Sequence, residues 1–304
     1  MVGYLFAGQG SQYAGMGKDL YDANPESRAI FDKADKTLGF EISKLCFQGP
    51  VEELTKTQNC QPAIVTMTIA ALEAFKTTNP QSSAQYTAGL SLGEYSALVA
   101  SGSISFEDAV HLVRRRGEFM EEEAAKFPGK MASILGMDLT VIKEICKNTG
   151  AEVANINSPG QIVISGSPKS IEDAKSAAEA QGAKRVLMLE LSGAFHSSFM
   201  KGASLKLAKE LDNIKINKPT IPIISNVTAL PAQTPQEIKD NLIRQVASGV
   251  LWDDSMRFML NKGIANFIEF GPGKVLKGLM RRINETAQVV NVEKNSDLLI
   301  LKKE

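Results

Sequence analysis

Gly89-Leu90-Ser91-Leu92-Gly93 is the stretch on which the fold prediction rests. It follows a β-compatible run, residues 85–88, and precedes residues 94–100, which have a helical pattern. Glycines two residues either side of the serine let the backbone turn sharply from strand to helix, as a nucleophile elbow requires. The helix N-terminus then points free N–H groups at an oxyanion that develops near the serine. A Gly/Ser turn without chemistry explains the pentapeptide alone about equally well.

A serine nucleophile needs a base, and the chain has two histidines. His111 lies in a helical pattern, off the apolar stripe and among charged neighbours, which indicates a solvated helix face. His196 lies in a loop of small residues directly after the apolar run 186–191, a position that often carries catalytic groups. The pattern favours His196 as the base for Ser91, and a loop histidine that only packs is the alternative.

Arg116 projects from the apolar stripe of the helix that contains His111. Leu112, Val113, Phe119 and Met120 all lie three or four positions from it. An arginine on this face needs an anionic partner, because an unpaired buried charge is costly. The partner is either a structural Asp or Glu, which is the commoner case, or a substrate carboxylate, which the planar guanidinium fits well. Taken alone, the sequence favours structural pairing.

The N-terminus has a further glycine-rich turn. A short hydrophobic strand, residues 2–6, leads into Ala7-Gly8-Gln9-Gly10-Ser11-Gln12. The glycines permit close approach of the backbone to a phosphate or an oxyanion. No Gly-Lys-Ser/Thr follows, so the turn is not a P-loop.

Seven short motifs follow one another along the chain. They are residues 8–12, 61–63, 89–98, 116–120, 155–161, 193–197 and 270–276. In this order, and over about residues 2–283, they resemble the malonyl-CoA:acyl carrier protein transacylases, which include the discrete acyltransferases of fatty-acid and polyketide synthesis. The series is far more specific than any single motif.

The resemblance implies a role for each matching residue. Ser91 is expected to accept the acyl group, and His196 to take its proton and return it to the departing thiol. Arg116 is expected to bind the free carboxylate of malonate. The backbone N–H groups of Gln9 and Leu92 are expected to form the oxyanion hole.

Further positions carry expectations from the same resemblance. A backbone carbonyl orients the histidine in this family, and the aligned carbonyl is that of Leu251. Gln61, Asn155 and Phe195 are expected to line the pocket. An aromatic wall at Phe195 leaves little room for an α-methyl branch, so methylmalonyl is disfavoured by about 1–3 kcal/mol.

The sequence departs from the family at two of these positions. Leu90 stands where histidine is usual, and Leu251 where a polar side chain is common. Both departures leave the proposed catalytic atoms in place, and they bear on substrate preference and pocket polarity.

The implied reaction is ping-pong transfer of malonyl from coenzyme A to the phosphopantetheine thiol of an acyl carrier protein. Thioester exchange is nearly isoenergetic, so no metal and no cofactor are expected, the coenzyme A thioester being a substrate. A hydrolase of the same fold and a transferase for another dicarboxyl unit are the alternatives. A carrier-binding module without activity would not need Ser91, His196 and Arg116 together.

Composition excludes several other classes. The net charge is zero and the sequence pI is about 6.8, so neither nucleic acid nor a membrane is expected as a partner. The three cysteines, Cys46, Cys60 and Cys146, fit neither a zinc nor a disulfide framework and indicate reduced thiols in a cytoplasmic protein. No secretion signal or long apolar run is recognised, and we expect a monomer.

Alternating helices and short apolar strands favour the α/β class. Between residues 128 and 193 the order strand, helix, strand, strand, helix, strand matches a ferredoxin-like βαββαβ unit. We predict an α/β-hydrolase-like large domain with a parallel sheet core, residues 1–127 plus 194–304, and residues 128–193 as the inserted small subdomain. The active site is expected in the cleft between them.

Overall fold

The structure, a computed structural model, describes residues 1–191 and 193–300, without the side chains of residues 299 and 300. Ser192, in the predicted small subdomain, and residues 301–304 lie outside this description. The strands are β1 Val2–Phe6, β2 Tyr86–Gly89, β3 Lys130–Leu135, β4 Glu152–Ser158, β5 Gln161–Gly166, β6 Arg185–Met188, β7 Ile223–Ile224, β8 Pro231–Ala232, β9 Val250–Leu251, β10 Asn266–Phe270 and β11 Gln288–Val292.

The helices that connect these strands run in the same chain order. They are α1 Lys18–Ala23, α2 Pro25–Leu38, α3 Ile42–Gln48, α4 Val51–Thr55, α5 Thr57–Thr78, α6 Gly93–Ala100, α7 Phe106–Lys126, α8 Leu139–Thr149, α9 Pro168–Ala180, α10 Lys201–Leu211, α11 Pro235–Val246, α12 Trp252–Asn261, α13 Val275–Ile283 and α14 Asn295–Ile300. Among the described helices, none combines the length and the apolar character that a bilayer crossing needs.

The larger sheet has the strand order β11-β10-β1-β2-β7-β8. Its neighbours pair in parallel, except that β8 runs antiparallel to β7. Phe6, at the end of β1, lies in register with Gly89 of β2 and Phe270 of β10. The loops after these three strands therefore leave the sheet at one carboxyl edge, where α/β proteins place their ligand sites.

Helices α5 and α7 pack against each other and form much of the main core. Ser105 caps α7 by accepting a hydrogen bond from the N–H of Asp108 (3.0 Å), which satisfies one free donor of the first turn. Leu112, Val113 and Phe119 are buried on one face of α7, each such side chain contributing about 1.5–3 kcal/mol. Their burial fixes the rotation of α7 and turns Arg116 inwards.

The smaller sheet has the order β6-β3-β5-β4-β9. Strands β3 to β6 pair antiparallel, and α8 and α9 pack on them around a core that includes Ile134, Ile164 and Ile171. The element order β3-α8-β4-β5-α9-β6 confirms the predicted βαββαβ unit, and the α/β fold class is also confirmed. The sequence did not predict β9, which pairs in parallel with β4 from residues 250–251.

Candidate active site

Ser91 lies in the sharp turn between β2 and α6, as predicted. Its backbone adopts φ 51°, the left-handed region that disfavours residues with a side chain. A Cβ atom on Gly89 would overlap the Gly93 carbonyl carbon, and one on Gly93 would overlap the Phe6 carbonyl oxygen. Only glycine fits either position, and the two glycines let the turn close against β1.

His196 contacts Ser91 directly. Ser91 Oγ lies 2.7 Å from His196 Nε2, and His196 Nδ1 lies 2.8 Å from the Gln245 carbonyl oxygen. Because a carbonyl only accepts, Nδ1 carries the proton, and the lone pair on Nε2 accepts the serine hydroxyl. Burial, together with the positive charge of Arg116, lowers the pKa of His196 to about 4, so the ring is neutral at pH 7.

The histidine-orienting carbonyl belongs to Gln245, and the assignment to Leu251 is wrong. Gln245 lies in the last turn of α11, where the carbonyls have no partner further along the helix. The Leu251 carbonyl instead accepts a hydrogen bond from Ser255 Oγ (2.7 Å) at the start of α12. The resemblance therefore located the correct segment but the wrong carbonyl, six residues further along the chain.

Arg116 lies immediately behind Ser91 and is 1% exposed. Nη2 donates to Ser91 Oγ (3.1 Å) and to Gln245 Oε1 (3.2 Å), and Nη1 donates to Gln61 Oε1 (2.8 Å). Among the described residues, no carboxylate lies within 4 Å of this guanidinium, and Nε has no hydrogen-bond partner. The structural ion pair that the sequence alone favoured is therefore not seen in the described part of the chain.

Gln61 was expected to line the pocket, but it is fully buried behind Arg116 and does not. Asn155 and Phe195 do line a cavity of about 200 Å³ that opens at Ser91. Its remaining wall is mostly apolar and is formed by Leu90, Met120, Met131, Val163, Leu189, Leu191 and Val275, with Gln9 and Asn157. A larger cavity of about 520 Å³ beside Phe40 is lined by no serine, cysteine or histidine.

The predicted oxyanion donors lie in the two loops at the carboxyl edge. Gln9 follows β1 and contributes to the cavity wall, and Leu92 is the N-cap residue of α6. Within the described residues, neither backbone N–H donates to a protein acceptor. Gln9 lines the cavity, whereas Leu92 is fully buried and does not, so the oxyanion hole stays a prediction for both donors.

Sequence reasoning missed two side chains that hold Ser91. Asn226 Oδ1 accepts from the Ser91 N–H (2.6 Å) and its Nδ2 donates to the Gly89 carbonyl (2.8 Å). Gln245 Nε2 donates to the Ser91 carbonyl (2.9 Å). Asn226 and Gln245 lie 135 and 154 residues beyond Ser91, so no local pattern marks them. His111, by contrast, is half exposed on α7, as predicted.

A half-buried serine hydrogen-bonded to a buried imidazole at a strand–helix elbow defines an enzyme of the acyl-transfer class. Residues 3–297 match the family model described as the acyl transferase domain. The chain is 47% identical over 296 residues to a malonyl CoA-acyl carrier protein transacylase from Bacillus subtilis (strain 168), covering 96% of this chain and 93% of that protein. This chain belongs to the acyl transferase family, and the predicted resemblance is confirmed.

Solved structures agree with the sequence relatives. A malonyl CoA-acyl carrier protein transacylase from Clostridium perfringens superposes with a TM-score of 0.95 at 40% identity, covering 99% of this chain and 96% of that one. A malonyl-transacylase solved in complex with its type II polyketide acyl carrier protein superposes with a TM-score of 0.93 at 37% identity, covering 100% and 99%.

Proposed function

We propose that this protein transfers malonyl groups from coenzyme A to the phosphopantetheine thiol of an acyl carrier protein. One observation carries the proposal: Ser91 Oγ lies 2.7 Å from His196 Nε2 and 3.1 Å from Arg116 Nη2. A nucleophile, a neutral base and a cation with no carboxylate within 4 Å among the described residues thus meet at one oxygen atom. The relatives that are named as malonyl CoA-acyl carrier protein transacylases support the same activity.

In the first half-reaction Ser91 Oγ attacks the thioester carbonyl while His196 Nε2 takes the hydroxyl proton. The N–H groups of Gln9 and Leu92 bind the oxyanion of the tetrahedral intermediate. The C–S bond then breaks, and coenzyme A leaves as a thiol with the proton from His196. The product is malonyl-Ser91.

The second half-reaction runs the same steps in reverse. His196 Nε2 takes the proton of the phosphopantetheine thiol, and the sulfur attacks the malonyl-serine carbonyl. The C–O bond to Ser91 breaks, and His196 returns the proton to Oγ. One thioester is formed for each that is broken, so the chemistry is close to balanced in free energy and we propose that it needs no cofactor.

Arg116 supplies the preference for a dicarboxyl unit. A guanidinium taken out of water costs free energy unless an anion approaches it, and burial lowers its pKa accordingly. The free carboxylate of malonate accepts charge-assisted hydrogen bonds from it, whereas an acetyl group has no oxygen to offer. Phe195, 4% exposed in the cavity wall, limits the room for a branch beside the reacting carbonyl.

Two further proposals concern the setting of the enzyme. We propose a reducing, cytoplasmic location, which the three buried free thiols support, and a monomeric state, which they do not bear on. Both fatty-acid and polyketide synthesis use a malonylated carrier, and this site serves either.

The direct test is to incubate the protein with malonyl, acetyl or methylmalonyl coenzyme A and to weigh the intact chain by mass spectrometry. We expect a malonyl adduct that persists until carrier protein is added, and no adduct on the Ser91→Ala variant. Rapid loss of the adduct as free malonate would support the hydrolase alternative. An adduct that forms equally on Ser91→Ala would refute Ser91 as the nucleophile.

A further inference from the structure

Glu94 is a buried carboxylate that the proposed mechanism does not use. It lies in the first turn of α6, three residues after Ser91, and is 4% exposed. Its Oε2 accepts two hydrogen bonds, from Gln245 Nε2 (2.8 Å) and from the Asn226 backbone N–H (3.1 Å). Burying an ionised carboxylate is costly unless it is hydrogen-bonded, and burial raises the pKa of Glu94 to about 7.

The two residues that hydrogen-bond to Glu94 are also the residues whose side chains hydrogen-bond to the backbone of Ser91. Asn226 accepts from the Ser91 N–H, and Gln245 donates to the Ser91 carbonyl. Ser91 adopts φ 51°, a strained left-handed conformation that persists only where surrounding groups hold it. Oε2 of Glu94 accepts from both Asn226 and Gln245, and so connects the two residues that hold the Ser91 backbone.

Glu94 also fixes which way the Gln245 amide faces. Glu94 Oε2 is an acceptor, since it also accepts from the Asn226 N–H, and the Ser91 carbonyl only accepts, so the amide nitrogen of Gln245 turns towards these two oxygens. The amide oxygen must then face Arg116 Nη2, which is a donor, at 3.2 Å. The opposite amide orientation would place N–H groups against the guanidinium.

We propose that Glu94 is a positioning residue for malonyl transfer: through Gln245 and Asn226 it holds the nucleophile and the malonate-binding guanidinium in one fixed arrangement. The inference rests on the proposed function, because it assigns Ser91 and Arg116 the roles given above. Gln245 extends the arrangement to the base, since its carbonyl accepts from His196 Nδ1. No atom of Glu94 touches the substrate in this scheme.

The experiment compares Glu94→Ala and Glu94→Gln with Glu269→Gln as the matched control. Glu269 is also a fully buried carboxylate with a pKa raised to about 7, but it accepts from the N–H groups of Leu276 and Lys277 at the start of α13. Two rates are measured at a temperature where all variants are folded and above pH 7, where most of the Glu94 carboxyl group is ionised. One is labelling of Ser91 by a fluorophosphonate, which has no carboxylate, and the other is malonyl loading.

We expect Glu94→Ala to slow both the labelling of Ser91 and kcat of malonyl loading by roughly 100-fold, because a misplaced reacting group costs about this much in rate. The KM for malonyl coenzyme A should change by less than about 3-fold, because no atom of Glu94 contacts the substrate. Glu94→Gln keeps an acceptor oxygen and should recover to within about 10-fold of the wild type, because a neutral acceptor bonds more weakly than a charged one. Glu269→Gln should leave both rates unchanged.

Wild-type rates in folded Glu94→Ala would overturn the inference, as would a Glu94→Gln variant no faster than Glu94→Ala. If Glu94→Ala does not fold, Gln245→Met takes its place, because it removes the side-chain amide that connects Glu94 to Ser91 and Arg116. The backbone carbonyl that accepts from His196 is kept. Unchanged labelling of Gln245→Met would then overturn it. Failure of the proposed function is separate: the wild type itself would be neither labelled nor loaded.

Discussion

Replacing Arg116 by alanine tests the assignment of the malonate-binding group. In the structure, Nη2 lies 3.1 Å from Ser91 Oγ, so a carboxylate on the serine-bound acyl chain comes within reach of the same guanidinium. The described groups in direct contact with the Arg116 guanidinium are neutral: Gln61 and Gln245 offer amide oxygens, and the Tyr95 ring centroid lies 5.6 Å from the guanidinium carbon. The acid Glu94 acts on Arg116 only from beyond Gln245. A malonyl carboxylate is therefore the strongest partner that it can acquire.

The size of the effect follows from the bonds that are lost. A hydrogen bond to a charged group contributes about 1.5–3 kcal/mol, which is roughly 10- to 150-fold in rate, and two such bonds give roughly 10²- to 10⁴-fold. Acetyl transfer loses neither bond. We expect the malonyl-over-acetyl ratio to fall by this factor, mainly because malonyl loading slows.

The assay offers malonyl and acetyl coenzyme A in competition and counts the two adducts on the intact chain by mass spectrometry. Arg116→Lys is the control, because it keeps the charge without the planar fork and should fall between the wild type and Arg116→Ala. Thermal melting of all three separates loss of fold from loss of recognition. An unchanged malonyl-over-acetyl ratio in folded Arg116→Ala would show that the arginine is structural, and would refute the reasoning.

Three further predictions concern the base, the elbow and the thiols. Because the pKa of His196 is lowered to about 4, the neutral base persists on the acid side. In Glu94→Gln, which has no carboxyl group titrating near pH 7 beside Ser91, fluorophosphonate labelling should decline only near pH 4, and adding Arg116→Ala should move that decline to higher pH. A decline of Glu94→Gln labelling near pH 6.5 would contradict the assignment. Gly93→Ala should unfold at a clearly lower temperature than the wild type, because the added Cβ would overlap the Phe6 carbonyl oxygen. Its control is Gly278→Ala in α13, where the Cβ meets open space and the free energy of unfolding in urea should rise by about 1 kcal/mol. The three buried cysteines, whose pKa values are all raised by burial, should react with a thiol reagent only in denaturant, and fast labelling of the native protein would be the contrary result.

Local sequence was sufficient for the features that depend on neighbouring residues. The strand–turn–helix order around Ser91 follows from glycine spacing, and the βαββαβ unit follows from hydrophobic periodicity between residues 130 and 188. The inward direction of Arg116 follows from helical periodicity in the same way. All three are properties of one short segment and need no knowledge of the rest of the chain.

The residues that support the site could not be predicted in this way. Asn226 and Gln245 come from distant segments, and a single asparagine or glutamine gives no local signal of a partner more than 100 residues away. The resemblance located the histidine-orienting carbonyl at Leu251, because motif matching finds a segment more reliably than a particular carbonyl. The sequence alone favoured a structural Asp or Glu as the partner of Arg116, which the described part of the chain does not contain. Which groups pack around a buried arginine depends on the three-dimensional structure and is not encoded in a local pattern.

The pairing of β9 with β4 has a consequence for engineering this protein. Two residues far downstream of the small βαββαβ unit complete its sheet, and the Leu251 N–H donates to the Asn226 carbonyl (2.8 Å). Asn226 in turn holds the backbone of Ser91. A chimera that exchanges residues 128–193 alone would therefore receive a foreign sheet edge at residues 250–251, and a poor match there would be transmitted through one asparagine to the nucleophile. Grafts of this unit should carry the β9 segment with them.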